Sequence, residues 1–277
     1  MIRKSLRAVA VLATFAFIFP IAGCLRFREE LVINPDGSGK ITLTIGMSQA
    51  FIDKMKGMGP GGAEVDEKMG MDPEDLENAE GVVAFTKPVH EKKDGWETTT
   101  ITAYFEDINK VKFWEKEGEK KKLKLAFTFK KEGEGHVLEV EDKFTDDGDS
   151  DKMDEMPAET KDQIWEQAKP MLKGFEISKG VKMPGPVTAV EGFTKKEGRL
   201  AQNKVTEESI KTLEDLTKSM KAAKAKVVSG KSEMTDADLA AFKKELDEAK
   251  AAWPKIREEL LAEAAKKKKD KEKEKND

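Results

Sequence analysis

Apolar and polar positions change their spacing several times along this chain, and each change marks an element. Residues 8–19 are apolar except Thr14 and follow the charges of Arg3, Lys4 and Arg7. From Leu25 the spacing becomes two. Leu25, Phe27, Leu31 and Ile33 alternate with Arg26, Arg28 and Glu30, and only Glu29 interrupts the apolar side. Such alternation puts one side of a strand on a core and the other in water. Pro35-Asp36-Gly37-Ser38-Gly39 supplies turn formers, and Ile41, Leu43 and Ile45 then resume the pattern, which predicts a hairpin. Residues 82–89, 96–105, 123–129 and 138–144 read the same way, with turns at Lys92-Lys93-Asp94-Gly95 and Glu132-Gly133-Glu134-Gly135. Six strands arranged as hairpins predict an antiparallel sheet with one covered face.

Between and after these strands the spacing becomes helical. Residues 47–58 suit a short helix capped by Ser48, with Phe51, Ile52 and Met55 on one face and Gly57 at its end. A second short helix begins at Asp72-Pro73. Residues 157–173 place Ile164, Trp165, Ala168 and Leu172 on one face, with Pro170 near the last turn and Gly174 as the stop. A strand over 175–181 then runs into Pro184-Gly185-Pro186. The order predicts an α+β fold, a hairpin-rich antiparallel sheet with helices on one face.

At Thr206 the character changes. Ile210, Leu213, Leu216, Met220, Ala223 and Val227 predict a helix over 206–228, broken by Ser229-Gly230-Lys231-Ser232. Thr235 with Asp238 caps a second helix. In it Leu239, Phe242, Leu246, Ala249, Trp253, Ile256 and Leu260 form a heptad seam, with Pro254 as a kink. The economical reading is a C-terminal α-helical hairpin over 206–265, since the helices are similar in length and the connector is short. The rival reading is an intermolecular coiled coil. The remaining residues, 266–277, are a lysine-rich charged tail expected to be disordered, with lysines able to touch anionic headgroups.

The opening segment has the build of a secretory signal, a positive start and an apolar run too short to span a bilayer. It ends at Ile21-Ala22-Gly23-Cys24, and Cys24 is the only cysteine. This stretch resembles the lipobox of bacterial lipoproteins. The resemblance implies cleavage of residues 1–23 and diacylglyceryl and N-acyl chains on Cys24, with Ile21, Ala22 and Gly23 as the recognition residues. It also implies a place in the cell envelope. Leu25, where the family's inner-membrane retention signal usually has Asp, points to the periplasmic face of the outer membrane in a diderm cell. Two or three acyl chains make such an anchor durable. Leu25 and Phe27 belong to the first strand, so the sheet is expected close to the bilayer.

Charge and chemistry narrow the picture further. The formal net charge of −4 becomes −7 once Arg3, Lys4 and Arg7 leave with the signal, which argues against a nucleic-acid partner. Asp147, Asp149 and Asp151 have the opening spacing of a calcium loop, but Lys152 stands where glycine is needed and Ala158 where a bidentate glutamate is needed, so no metal site is expected. Gly59-Pro60-Gly61-Gly62 lacks the Lys-Ser/Thr ending of a phosphate loop. Met55, Met58, Met69 and Met71 flank it and could form an adaptable apolar surface. His90 and His136 have no local motif around them and read as surface strand residues. With no nucleophile-and-base arrangement, no catalytic residue and no cofactor beyond the lipid, the expectation is a non-enzyme.

A second resemblance concerns residues 24–205. Cys24-x-Arg26 followed by Asn34-x-Asp36-Gly37-Ser38-Gly39, and later Val181-Lys182-Met183-Pro184-Gly185-Pro186-Val187, look like the start and a late segment of LppM-type lipoprotein domains. The resemblance implies an anchored α+β domain. The chain departs from that family's pattern after 205, where many members have a transmembrane helix and this chain has no apolar run of that length. Two functions remain open: an envelope adaptor meeting a protein partner through 206–265, or a binding module for lipid or another apolar ligand, with the ligand-binding residues unassigned.

Overall fold

The computed structural model describes residues 25–56, 79–117, 120–142, 156–220 and 224–274. Its first strand, β1 (Leu25–Ile33), turns into β2 (Gly39–Ser48) with Phe27 opposite Ile45 and Leu31 opposite Ile41. Ser48 caps helix α1 (Gln49–Lys56), its hydroxyl accepting from the Phe51 amide at 3.3 Å. Then come β3 (Ala79–Glu80), β4 (Val82–Phe85), β5 (Val89–Lys93) and β6 (Trp96–Phe105), and β6 pairs with β2 along its whole length. The strand expected over 82–89 is thus two, broken before Val89 because Pro88 has no amide for a ladder. A meander of β7 (Lys112–Glu117), β8 (Lys120–Glu132) and β9 (Gly135–Asp142) follows, with the predicted turn between β8 and β9. Helix α2 (Ala158–Ala168) stops short of Lys173 and tightens to a 3₁₀ turn ending at Leu172. Pro170 removes an amide that a continuing helix would use.

The chain then adds β10 (Glu176–Lys182), β11 (Val187–Glu191), β12 (Lys195–Glu197), β13 (Leu200–Thr206), α3 (Leu213–Met220), β14 (Lys224–Ser229) and α4 (Asp236–Glu274). The fold is α+β, with its strands divided between two sheets. One has the order β12-β13-β10-β1-β2-β6-β4, with β5 also on β6; the other runs β11-β14-β9-β8-β7-β3. Strands β1 and β10 are parallel, because the chain reaches β10 by a crossover through α2. The apolar faces of the sheets meet. Leu31, Ile33, Phe105, Val181 and Met183 of the first pack on Leu125, Phe127, Phe129, Leu138 and Val227 of the second.

The two motifs that suggested LppM-type domains join the sheets. In the β1–β2 turn, Asn34 Nδ2 donates to Ser38 Oγ at 3.0 Å, and Ser38 donates by both amide and hydroxyl to Asp36 Oδ1. The Gly37 carbonyl accepts from Ile108, and Asn109 Oδ1 accepts from the Phe129 amide in the second sheet at 2.7 Å. Gly37 sits at φ +84°, which only glycine adopts freely. At the other motif, a Cβ on Gly185 would stand 2.2 Å from the Lys231 carbonyl, so the segment linking β10 to β11 requires glycine there.

Residues 206–265 do not form the predicted helical hairpin. A 3₁₀ turn at Glu207–Ser209 and the eight-residue α3 replace the first helix, and β14 fills the place between β9 and β11. Ile210, Leu213 and Leu216 do share an apolar face, packed with Ile164, Leu172 and Phe175. Beyond them, Ala225, Val227 and Ser229 also fit a spacing of two, and the paired valines favour the strand once a ladder edge is available. The seam of α4 is not free for a coiled coil either. Phe242 and Leu246 pack on Ala84 and Tyr104, while Trp253 and Leu260 pack on Phe85, Ile101 and Ala103, so the helix passes over the edge of the first sheet. Pro254 lies inside the helix. The helix continues to Glu274, which makes most of the lysine-rich tail helical rather than disordered.

Candidate functional site

The inter-sheet layer is not filled throughout. Two residues before Leu31, the inward position of β1 is Glu29; two before Val181, that of β10 is Lys179, and the strand register sets these two side by side. Asp142, at the end of β9, faces them from the second sheet, and Lys179 Nζ donates to its Oδ2 at 2.6 Å. Beside this group lies a cavity of about 90 Å³, with Leu31, Leu125, Phe127, Val140 and Val181 as its apolar wall. Phe193, Asn203 and Ala225 close its far side, and Gly192, at φ +75°, turns the chain along the rim.

Electrostatics follow from the walls. Burial pushes the Glu29 carboxyl above the usual carboxylate range; Lys179 pulls it back and Asp142 pushes it up again. Glu29 is half-buried and keeps some solvent-accessible surface on the cleft side. Burial alone would lower the Lys179 ammonium, yet Glu29 and the hydrogen bond to Asp142 hold it above its ordinary value. The arrangement offers apolar contact over most of its wall and two acids with one ammonium at one end. No nucleophile poised beside a base stands in it.

The residues singled out in the sequence fall elsewhere. Ile21, Ala22, Gly23 and Cys24 lie outside the described residues, as do Met58, Met69, Met71, the helix expected at Asp72 and the acidic loop Asp147-Asp149-Asp151. His90 is exposed, its Nδ1 2.9 Å from the Thr99 hydroxyl. His136 is not the surface residue expected: it is 4% exposed, stacked on Phe129 at 5.2 Å, and its Nδ1 has no hydrogen-bond partner among the described residues. His136 stands opposite Lys131 and two residues before the buried Leu138, on the strand face that carries Phe129. Among the described residues no group of three or more His, Cys, Asp or Glu could hold a metal ion, and no helix is long and apolar enough to cross a membrane. Sequence reasoning missed Lys179 and Asp142. The available signal was Glu29, the one charge on the apolar side of β1.

An α+β sandwich with a partly polar inter-sheet cleft is the class that fold and site define. No family model and no curated protein matches the chain. Among solved structures it is similar to the NMR structure of the folded domain of the Mycobacterium tuberculosis LppM protein, at 10% identity and a TM-score of 0.35, over 77% of this chain and 93% of that one. A likeness of that degree carries no argument about fold or activity.

Proposed function

We propose that this chain is a lipid-anchored, non-enzymatic module of the cell envelope that binds the apolar end of a ligand between its two sheets. The observation that carries the binding is the cleft itself, an apolar wall with a charged group at one end. Binding sites commonly combine an apolar lining with a few placed polar groups. The anchor rests on the sequence at Ile21-Ala22-Gly23-Cys24. The adaptor reading loses its motive, because the seam that was to meet a partner packs on the chain's own sheet from Phe242 to Leu260.

Cys24→Ala, followed by membrane fractionation and metabolic lipid labelling, tests the anchor. The expected result is loss of label and release from the membrane; a variant that stays membrane-bound beside an unlabelled wild type removes the anchor from the proposal. Native mass spectrometry of the purified chain tests the cleft. A reproducible ligand adduct is expected, and Ala225→Leu, which fills the far side, should abolish it. An adduct unchanged by that substitution places the ligand elsewhere.

A further inference from the structure

We infer that the lysine-rich end of α4 docks on the anionic phospholipid headgroups of the leaflet that holds the anchor, so that the domain meets the membrane at two points. The inference rests on the anchor reading above and adds a second, ionic contact. Its direction comes from the contacts that α4 makes. Near the start of the helix, Lys243 Nζ lies 3.8 Å from Asp36 in the β1–β2 turn, at the end of the first sheet away from Leu25. Farther along, Glu259 accepts from Lys87 at 2.9 Å, and Leu260 packs with Phe85, Ile101 and Ala103. The helix therefore descends from the turn toward the end of the sheet where β1 begins.

Its length carries it onward. Ile101 is aligned through Leu43 with Glu29, four residues from Leu25, which is about 13 Å of strand. Past Leu260 the helix runs another fourteen residues, about 21 Å, which exceeds the distance remaining to the anchored end. Over this stretch Leu261, Ala262, Glu263, Ala265, Lys266 and Lys269 are exposed. Charge supplies the partner. Residues 266–277 hold seven lysines against four acids, four of the lysines consecutive at 266–269, in a chain whose formal net charge is −4. The body is thus acidic and an anionic bilayer repels it, whereas the helix end is attracted. A lysine cluster alone binds such a surface weakly. With Cys24 held in the same leaflet and Leu25 already in β1, the contact becomes intramolecular, at an effective concentration set by the reach of the helix.

The test uses the full-length lipidated chain in nanodiscs, with a fluorophore on Ala265→Cys and a contact quencher on the lipid headgroups. Discs are made of phosphatidylcholine alone or with about one third phosphatidylglycerol. Quenching should be at least about threefold stronger in the anionic discs. It should fall to the zwitterionic level in molar NaCl, where the Debye length is about 3 Å. Replacing Lys266, Lys267, Lys268 and Lys269 together by Gln should abolish the difference, and replacing them by Arg should keep it; Gln and Arg both suit a helix, so circular dichroism should be unchanged. Equal quenching in the two discs, or a difference that survives the four Gln substitutions, overturns the ionic contact while the chain still co-elutes with the discs. Quenching in neither disc overturns it too and leaves the lysines to a soluble acidic partner. A chain that leaves the discs in molar NaCl removes the anchor itself, and the two-point attachment with it.

Discussion

The two ends of the layer between the sheets use the same strands and differ in what fills them. At the end by the β1–β2 turn, Ile33, Phe105, Ile108, Val111 and Met183 have no exposed surface, and the turn is hydrogen-bonded through Ile108 and Asn109 to the second sheet. At the other end Glu29 and Lys179 take the inward positions and a cavity remains. The difference shows how one fold combines a close-packed end with a partly polar cleft. The closed end holds the sheets at a fixed separation, so the open end can carry polar groups that a close-packed core would exclude.

The comparison can be broken or sharpened by substitution, and the largest effects belong to the closed end. Phe105→Ala should cost about 3–5 kcal/mol in chemical denaturation, the range for deleting a buried aromatic ring. Leu246→Ala, on the strap that α4 lays over the sheet edge, should cost about 2–4 kcal/mol, and limited proteolysis should then cut within α4 before the sheets open. Asn109→Ala leaves the Phe129 amide without its acceptor and should cost roughly 1–3 kcal/mol. The ion pairs beside α4, such as Lys87–Glu259 and Lys250–Glu106, are exposed and should contribute little.

At the open end the sign reverses. Glu29 is pushed up by burial, so its protonated form suits the folded state, and its contribution to stability is lost as pH rises through its folded value. Glu29→Gln should therefore stabilise the protein at neutral pH by about 0.5–2 kcal/mol and flatten the pH dependence above about pH 4.3. A loss of stability instead would mean that the ionised carboxylate supports the fold and that the open end is structural.

The smallest effect concerns His136. Burial lowers its pKa, Lys131 adds to that, and the hydrogen bond to the Pro35 carbonyl opposes both. The unfolded chain binds the proton more readily, so stability present above about pH 6.5 should decline as pH falls toward the folded value. Denaturation midpoints of wild type and His136→Phe between pH 7.5 and 5 measure this; parallel curves would remove His136 as the cause.

Much of this was legible in one dimension, and the misses are specific. Alternation located β1, β2, β6, β8 and β9, and the capping hydroxyl of Ser48 is where the pattern places it. Residues 224–229 were misread because Met220, Ala223 and Val227 satisfy a helical spacing while Ala225, Val227 and Ser229 satisfy a strand. Only the vacancy between β9 and β11 chooses. The α4 seam was recognised, but a heptad stripe is the same whether a helix or a sheet edge covers it. Of the cleft, one residue was visible: Glu29 stood out against its alternation, while Lys179 and Asp142 are ordinary charges in a chain with many.

By itself the sequence determined the local choices: which residues alternate, where turns and caps fall, and which cysteine stands after Ile21-Ala22-Gly23. Those depend on backbone preference and side-chain periodicity within a few residues. Tertiary structure alone decided that the strands divide into two sheets, that α4 folds back over its own sheet, and that Glu29, Lys179 and Asp142 meet. The last is a matter of distance along the chain, since residues 29, 142 and 179 are brought together by a parallel pairing and a sheet-on-sheet contact that no local pattern encodes.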